Sequence, residues 1–159
     1  VRRQLLVLTG ILVILGLGLG SYFLFIRESS PIPQSVQKSV SFPLYYPDKL
    51  PDNWAIDKTS FSKGTDVVFY KINDSHQGRV ISVSIQPQPE AFNFDNFYKK
   101  TLAKSIEFTT PLGQAAVGEG ENNLKIGSLA TGDSWVLVTA DSQKIKTNEI
   151  RTILSALKN

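Results

Sequence analysis

The pattern of apolar and polar positions divides the chain into three stretches. From Leu5 to Ile26 there is no charged residue, and Thr9, Ser21 and the Tyr22 hydroxyl are the only polar groups. At about 1.5 Å rise per residue, a helix over 5–26 spans about 33 Å, enough to cross a hydrocarbon core of about 30 Å. A helix also satisfies its own backbone, as lipid demands. The expectation is a transmembrane helix over 5–26, embedded through residues such as Leu5, Ile11, Leu17 and Ile26. Its Gly16 and Gly20 form a small-xxx-small pair that would allow weak self-association of two such helices. Residues 27–41, with Pro31, Pro33 and five serines, show hardly any periodicity and read as a linker.

Residues 42–159 read as a folded domain. Three prolines interleaved with aromatics between Phe42 and Trp54 suggest an irregular entry. Tyr45, Tyr46 and Trp54 either pack their rings on the core or form an aromatic surface. Alternation then predicts strands over 54–61, 67–72 and 79–86, with turns at Lys63-Gly64 and Asn73–Gly78. Val67–Ile72 is apolar on both faces, whereas Ile81, Val83 and Ile85 form a single apolar face. Between Asn93 and Phe108 the spacing changes to 3.6. Phe94, Phe97, Tyr98, Leu102 and Ile106 fall on one side, predicting an amphipathic helix capped by Asn93. Strands follow over 113–118, 124–130 and 134–140. The last is apolar on both faces, as in a central strand covered on both sides. A final helix over 147–158 buries Ile150, Ile153, Leu154 and Leu157. The expected fold is α+β: an antiparallel-sheet α/β/α sandwich with the order three strands, helix, three strands, helix.

Charge adds an orientation. Of 17 Lys and Arg, three (Arg2, Arg3 and Arg27) flank the apolar run, leaving 14 against 14 Asp and Glu. Arg2 and Arg3 precede the run, and Arg27 is offset at once by Glu28. The positive-inside bias therefore places residues 1–4 in the cytoplasm and the domain outside it, in a single-pass plasma-membrane protein. A cleaved signal peptide is the alternative, but the apolar run is longer than a cleavable core and Tyr22–Phe25 follow its small residues. With the domain's charges balanced, no nucleic-acid partner is expected.

The entry segment carries a resemblance. Phe42, Tyr46 and Pro47 followed by Trp54, then meander, helix, second meander and terminal helix, resemble the PsbP-like family. That family is named after an extrinsic photosystem II protein and shares its fold with a Ran-binding nuclear transport factor. Leu50, Pro51 and Trp54 are equally similar to the opening of bacterial exported domains of unknown function. The resemblance implies the sandwich fold and roles in binding or assembly, and transfers no metal ligands.

Candidate chemistry is sparse. The chain has no cysteine and one histidine, so thiolate metal sites and a cysteine nucleophile are excluded. His76 sits in a turn with no Gly-x-Ser-x-Gly elbow elsewhere. Oxygen ligands for Ca²⁺ could gather at Glu119 and Glu121 or around Asp133, without EF-hand spacing. Gly118–Glu121 is not a phosphate loop, since no GK[ST] ends it. No cofactor or metal is expected, and no pair of carboxylates stands out for glycosidase chemistry. The leading expectation is a non-enzymatic module that binds a protein partner or helps assemble an envelope complex. A small-ligand or sensory domain and an unrecognised cell-wall hydrolase are the alternatives.

Overall fold

Alternating burial organises most of the chain in the computed structural model, which describes residues 30–159. The strands are β1 (Tyr46–Pro47), β2 (Trp54–Lys63), β3 (Val68–Asp74), β4 (Arg79–Pro87), β5 (Ala103–Thr110), β6 (Gly113–Glu119), β7 (Leu124–Ala130), β8 (Ser134–Asp141) and β9 (Leu157–Lys158). The helices are α1 (Gln34–Gln37), α2 (Phe94–Thr101) and α3 (Thr147–Ser155). Seven strands form one antiparallel sheet in the order β2-β3-β4-β8-β7-β6-β5, and β1 pairs with β9 in a small second one. Two local meanders, β2–β4 and β5–β8, are thus joined edge to edge where β4 meets β8. Strand β8 lies in the middle.

One face of the sheet carries the main core. Tyr70 and Ile72 of β3, Ile81, Val83 and Ile85 of β4, and Val136 and Val138 of β8 are almost fully buried there. Ile150, Ile153 and Leu154 of α3 cover them, with Ile32, Leu44 and Tyr45 from the segment before β2. Each fully buried aliphatic side chain contributes about 1.5–3 kcal/mol. Close approach of α3 depends on Gly127 of β7, where a Cβ would collide with Ile150 and stand 2.9 Å from Leu154 Cδ1. The opposite face bears a smaller cluster, in which Phe94, Tyr98 and Leu102 pack on Ala116 of β6. Part of the segment read as a linker is therefore packed: Ile32 is buried and accepts a 2.7 Å hydrogen bond from Gln37 Nε2 through its carbonyl.

The expected α+β sandwich does not form. The described residues are 46 % strand and 16 % helix, so the protein is a mostly antiparallel β structure with two principal helices as partial covers. Its second meander has four strands, since the helix expected over 93–108 stops at Thr101. Leu102 turns to extended backbone, Lys104 takes a left-handed φ of 47° and residues 103–110 become β5. The bulge this makes fits because β6 has Gly118 opposite: a Cβ there would stand 2.8 Å from Ala103 O and from Leu102 Cβ. Likewise α3 ends at Ser155, and Leu157–Lys158 pair with Tyr46–Pro47 instead of continuing the helix.

The membrane placement also requires correction. Among the described residues no helix is long and apolar enough to cross a membrane; the longest, α3, has 9 residues and a single apolar stripe. The expected span over 5–26 lies outside the described residues, with Leu5, Ile11, Leu17, Ile26, the Gly16–Gly20 pair and the flanking Arg2, Arg3 and Arg27. A single-pass plasma-membrane protein with an extracytoplasmic domain has no support in the structure.

Candidate functional site

The two faces of the sheet differ in what covers them. On the face opposite α3, helix α2 lies over β5 and β6, and its Phe97, with Phe92 just before the helix, reaches β8. There Trp135 meets Phe92 at 4.6 Å and Phe97 at 4.9 Å between ring centroids. Its indole is held in place by Nε1, which donates to the fully buried Ser128 Oγ at 2.8 Å. An eight-residue helix is about 12 Å long, too short to shade seven strands. Among the described residues, no element covers the half formed by β2, β3 and β4.

Strand register specifies what that open half displays. Ser62, Phe69, Ser84 and Leu137 form one row across β2, β3, β4 and β8, and Asp57, Lys71, Ser82 and Thr139 the next. Val80 stands one further step along β4, opposite Asn73. Phe69 and Val80 are each 44 % exposed and stand near opposite ends of the β3–β4 pair, with the Lys71–Ser82 row between them. Around them are hydroxyls and the exposed Lys71, which makes no ion pair among the described residues. Asp57 is occupied locally. Thr59 donates to Oδ1 from its hydroxyl at 2.7 Å and its amide at 2.9 Å, and these bonds hold the carboxyl below its usual range. Beside α2, an open groove of about 500 Å³ is lined by Phe92, Asn93, Asn96, Phe97 and Lys100.

The aromatics singled out from the sequence do not converge on this face. Tyr45 is buried and its carbonyl accepts from the Tyr70 hydroxyl at 3.1 Å. Burial pushes that hydroxyl's pKa far up. Tyr46 is half-buried beneath Lys158 Nζ, 5.5 Å from its ring, and Trp54 beneath the Arg79 guanidinium at 5.0 Å. All three pack on the core and belong to separate surroundings.

Several other charged groups are committed to structure. Arg79 binds Asp74 through Nε at 2.8 Å and Glu149 through Nη1 at 2.8 Å, tying the β3–β4 hairpin to the start of α3. Burial drives the Asp74 carboxyl upward, but Arg79 and the amides of His76 and Gln77 together hold it below the usual range. A carboxylate kept ionised in this way is a poor general acid. His76 lies exposed on the hairpin, and the hydroxyl of neighbouring Ser75 donates to Asn53 O at 3.3 Å. Glu119 is engaged by Lys104 at 3.1 Å. No group of three His, Cys, Asp or Glu among the described residues could hold a metal.

Phe69 and Val80 were not singled out from the sequence as site residues. A signal existed for Phe69, which lies in the run that is apolar on both faces, where one face has no helix to bury it. Val80 follows Arg79 at the strand start and has no comparable mark. No family model, curated protein or solved structure matches the chain, and nothing among these comparisons identifies a PsbP-like family.

Proposed function

We propose that the chain is a non-enzymatic binding module that takes a protein partner on the open half of its sheet. The observation that carries this reading is the pair Phe69 and Val80, each 44 % exposed on a face whose other half is covered by α2. The two stand four residues apart along the strands, roughly 14 Å, with Lys71 and Ser82 between them, so the occupant must be a segment long enough to reach both. Hydroxyl-bearing side chains around them suit a surface that is wetted when free and dried when occupied. Lys71 adds a positive charge that makes no ion pair among the described residues. The fitting partner is an extended or amphipathic segment that places an apolar side chain over Phe69 and an acidic one near Lys71.

The test is a crosslinked complex identified by mass spectrometry, prepared with the wild-type chain and with a Phe69→Ser, Val80→Ser double variant. Exposed substitutions of this kind shift stability by only about 0.5 kcal/mol each, so the variant should remain folded. The expected outcome is a discrete protein partner crosslinked near β3 and β4 in the wild type and at least tenfold less of it in the variant. Equal recovery from both would contradict the reading.

A further inference from the structure

Strands β2 and β5 are the two edges of the sheet, and they are protected differently. β2 is broken by a register shift between Asp57 and Ser62 and bears Lys58 and Lys63, devices that discourage edge pairing. β5 carries its shift and its Lys104 only at the start, between Ala103 and Ile106. From Ile106 to Thr110 it pairs regularly with β6 on one side, and no strand among the described residues pairs with the other. Ile106 is 50 % exposed there.

We propose that the chain self-associates through β5, two copies pairing antiparallel about a twofold axis at Phe108. Register selects this arrangement. Thr110 and Gly113 flank a two-residue turn and form a hydrogen-bonded pair, so bonded pairs recur at Phe108 and Ile106. The amides and carbonyls of Glu107 and Thr109 therefore point to the free edge. An axis at Ile106 would draw Ser105 of the irregular stretch into the pairing, which leaves three symmetric pairings that bring free edge to free edge. An axis at Glu107 sets two carboxylates opposite each other, and an axis at Thr109 sets Glu107 against Pro111, which has no amide to give. An axis at Phe108 sets Glu107 opposite the second copy's Thr109 twice, with backbone hydrogen bonds in both directions and no charge clash. Glu107 is the only charge between 106 and 110, so a second copy is the occupant that this edge accommodates without repulsion. The contact uses neither Phe69 nor Val80, so it stands or falls separately from partner binding.

Because the chain has no cysteine, single thiols report the register. Phe108→Cys in the dilute full-length chain should oxidise to a disulfide-linked dimer. Ile106→Cys should not, since its two copies would stand about 14 Å apart in this register. Independently, Thr109→Glu should weaken dimerisation about tenfold and Thr109→Lys should strengthen it, read by sedimentation velocity. Thr109 is exposed and either side chain leaves the fold intact. No linked dimer from folded Phe108→Cys, equal linking from Ile106→Cys, or a dimer constant indifferent to both Thr109 substitutions would overturn the proposal.

Discussion

Arg79 shows how much of this molecule is decided by single side chains. Its guanidinium spans Asp74 and Glu149 and lies over Trp54, so one residue links a hairpin, a helix start and the entry to β2. The Asp74 carboxyl is held below its ordinary value near 3.8, which gives the dependence on pH a definite sign. A depressed folded-state pKa contributes stability that is complete above the unfolded value and lost as pH falls through the folded one. Asp74→Asn should therefore lower Tm at pH 7, and the gap from wild type should close below about pH 4. Thermal melts between pH 2 and pH 7 check this; a gap that stays constant to pH 2 would contradict it. Gly127→Ala should cost about 1–3 kcal/mol by forcing Ile150 and Leu154 away from β7, measurable by urea denaturation. Neither role was legible in the chain. Asp74 read as turn composition, and the partners of Gly127 come from a helix more than twenty residues later.

At the scale of elements, alternation was a dependable guide where one face is buried. The strands expected over 79–86, 113–118, 124–130 and 134–140 lie within β4, β6, β7 and β8. The junction of α2 and β5 was not legible, because two periods coincide there. Leu102 and Ile106 continue the helical spacing from Phe94 and Tyr98, while Ile106-Glu107-Phe108-Thr109 also alternates. The strand forms because Lys104 accepts a left-handed φ and Gly118, across the sheet, leaves room for the bulge. Gly118→Ala should therefore loosen β5 before the rest of the sheet. Amide exchange is expected to accelerate first over residues 105–109, with β3, β4 and β8 protected; uniform acceleration would mean the bulge does not depend on that glycine. The Tyr98 hydroxyl, which donates to Glu107 Oε1 from α2, pins helix to strand across the same junction.

For the whole molecule, the decisive event is non-local. Joining β4 to β8 makes one broad sheet of two meanders, and nothing in either meander's own pattern announces that pairing. Broad sheets need broad covers, and α3 with the segment before β2 supplies one for a single face. Among the described residues the other face receives only α2, and the half it leaves uncovered becomes the proposed binding surface. A chain without cysteine allows that surface to be mapped directly. Single-cysteine variants Ser82→Cys, on the open half, and Ser128→Cys, beneath Trp135 and α2, can be labelled with a maleimide in the purified protein and in an extract of the cells that produce it. Rapid labelling at position 82 in the pure protein, strong protection there in the extract, and slow labelling at 128 in both is the predicted result. Slow labelling at 82 in the pure protein, or the same rapid rate in both preparations, would contradict an open face that a partner covers.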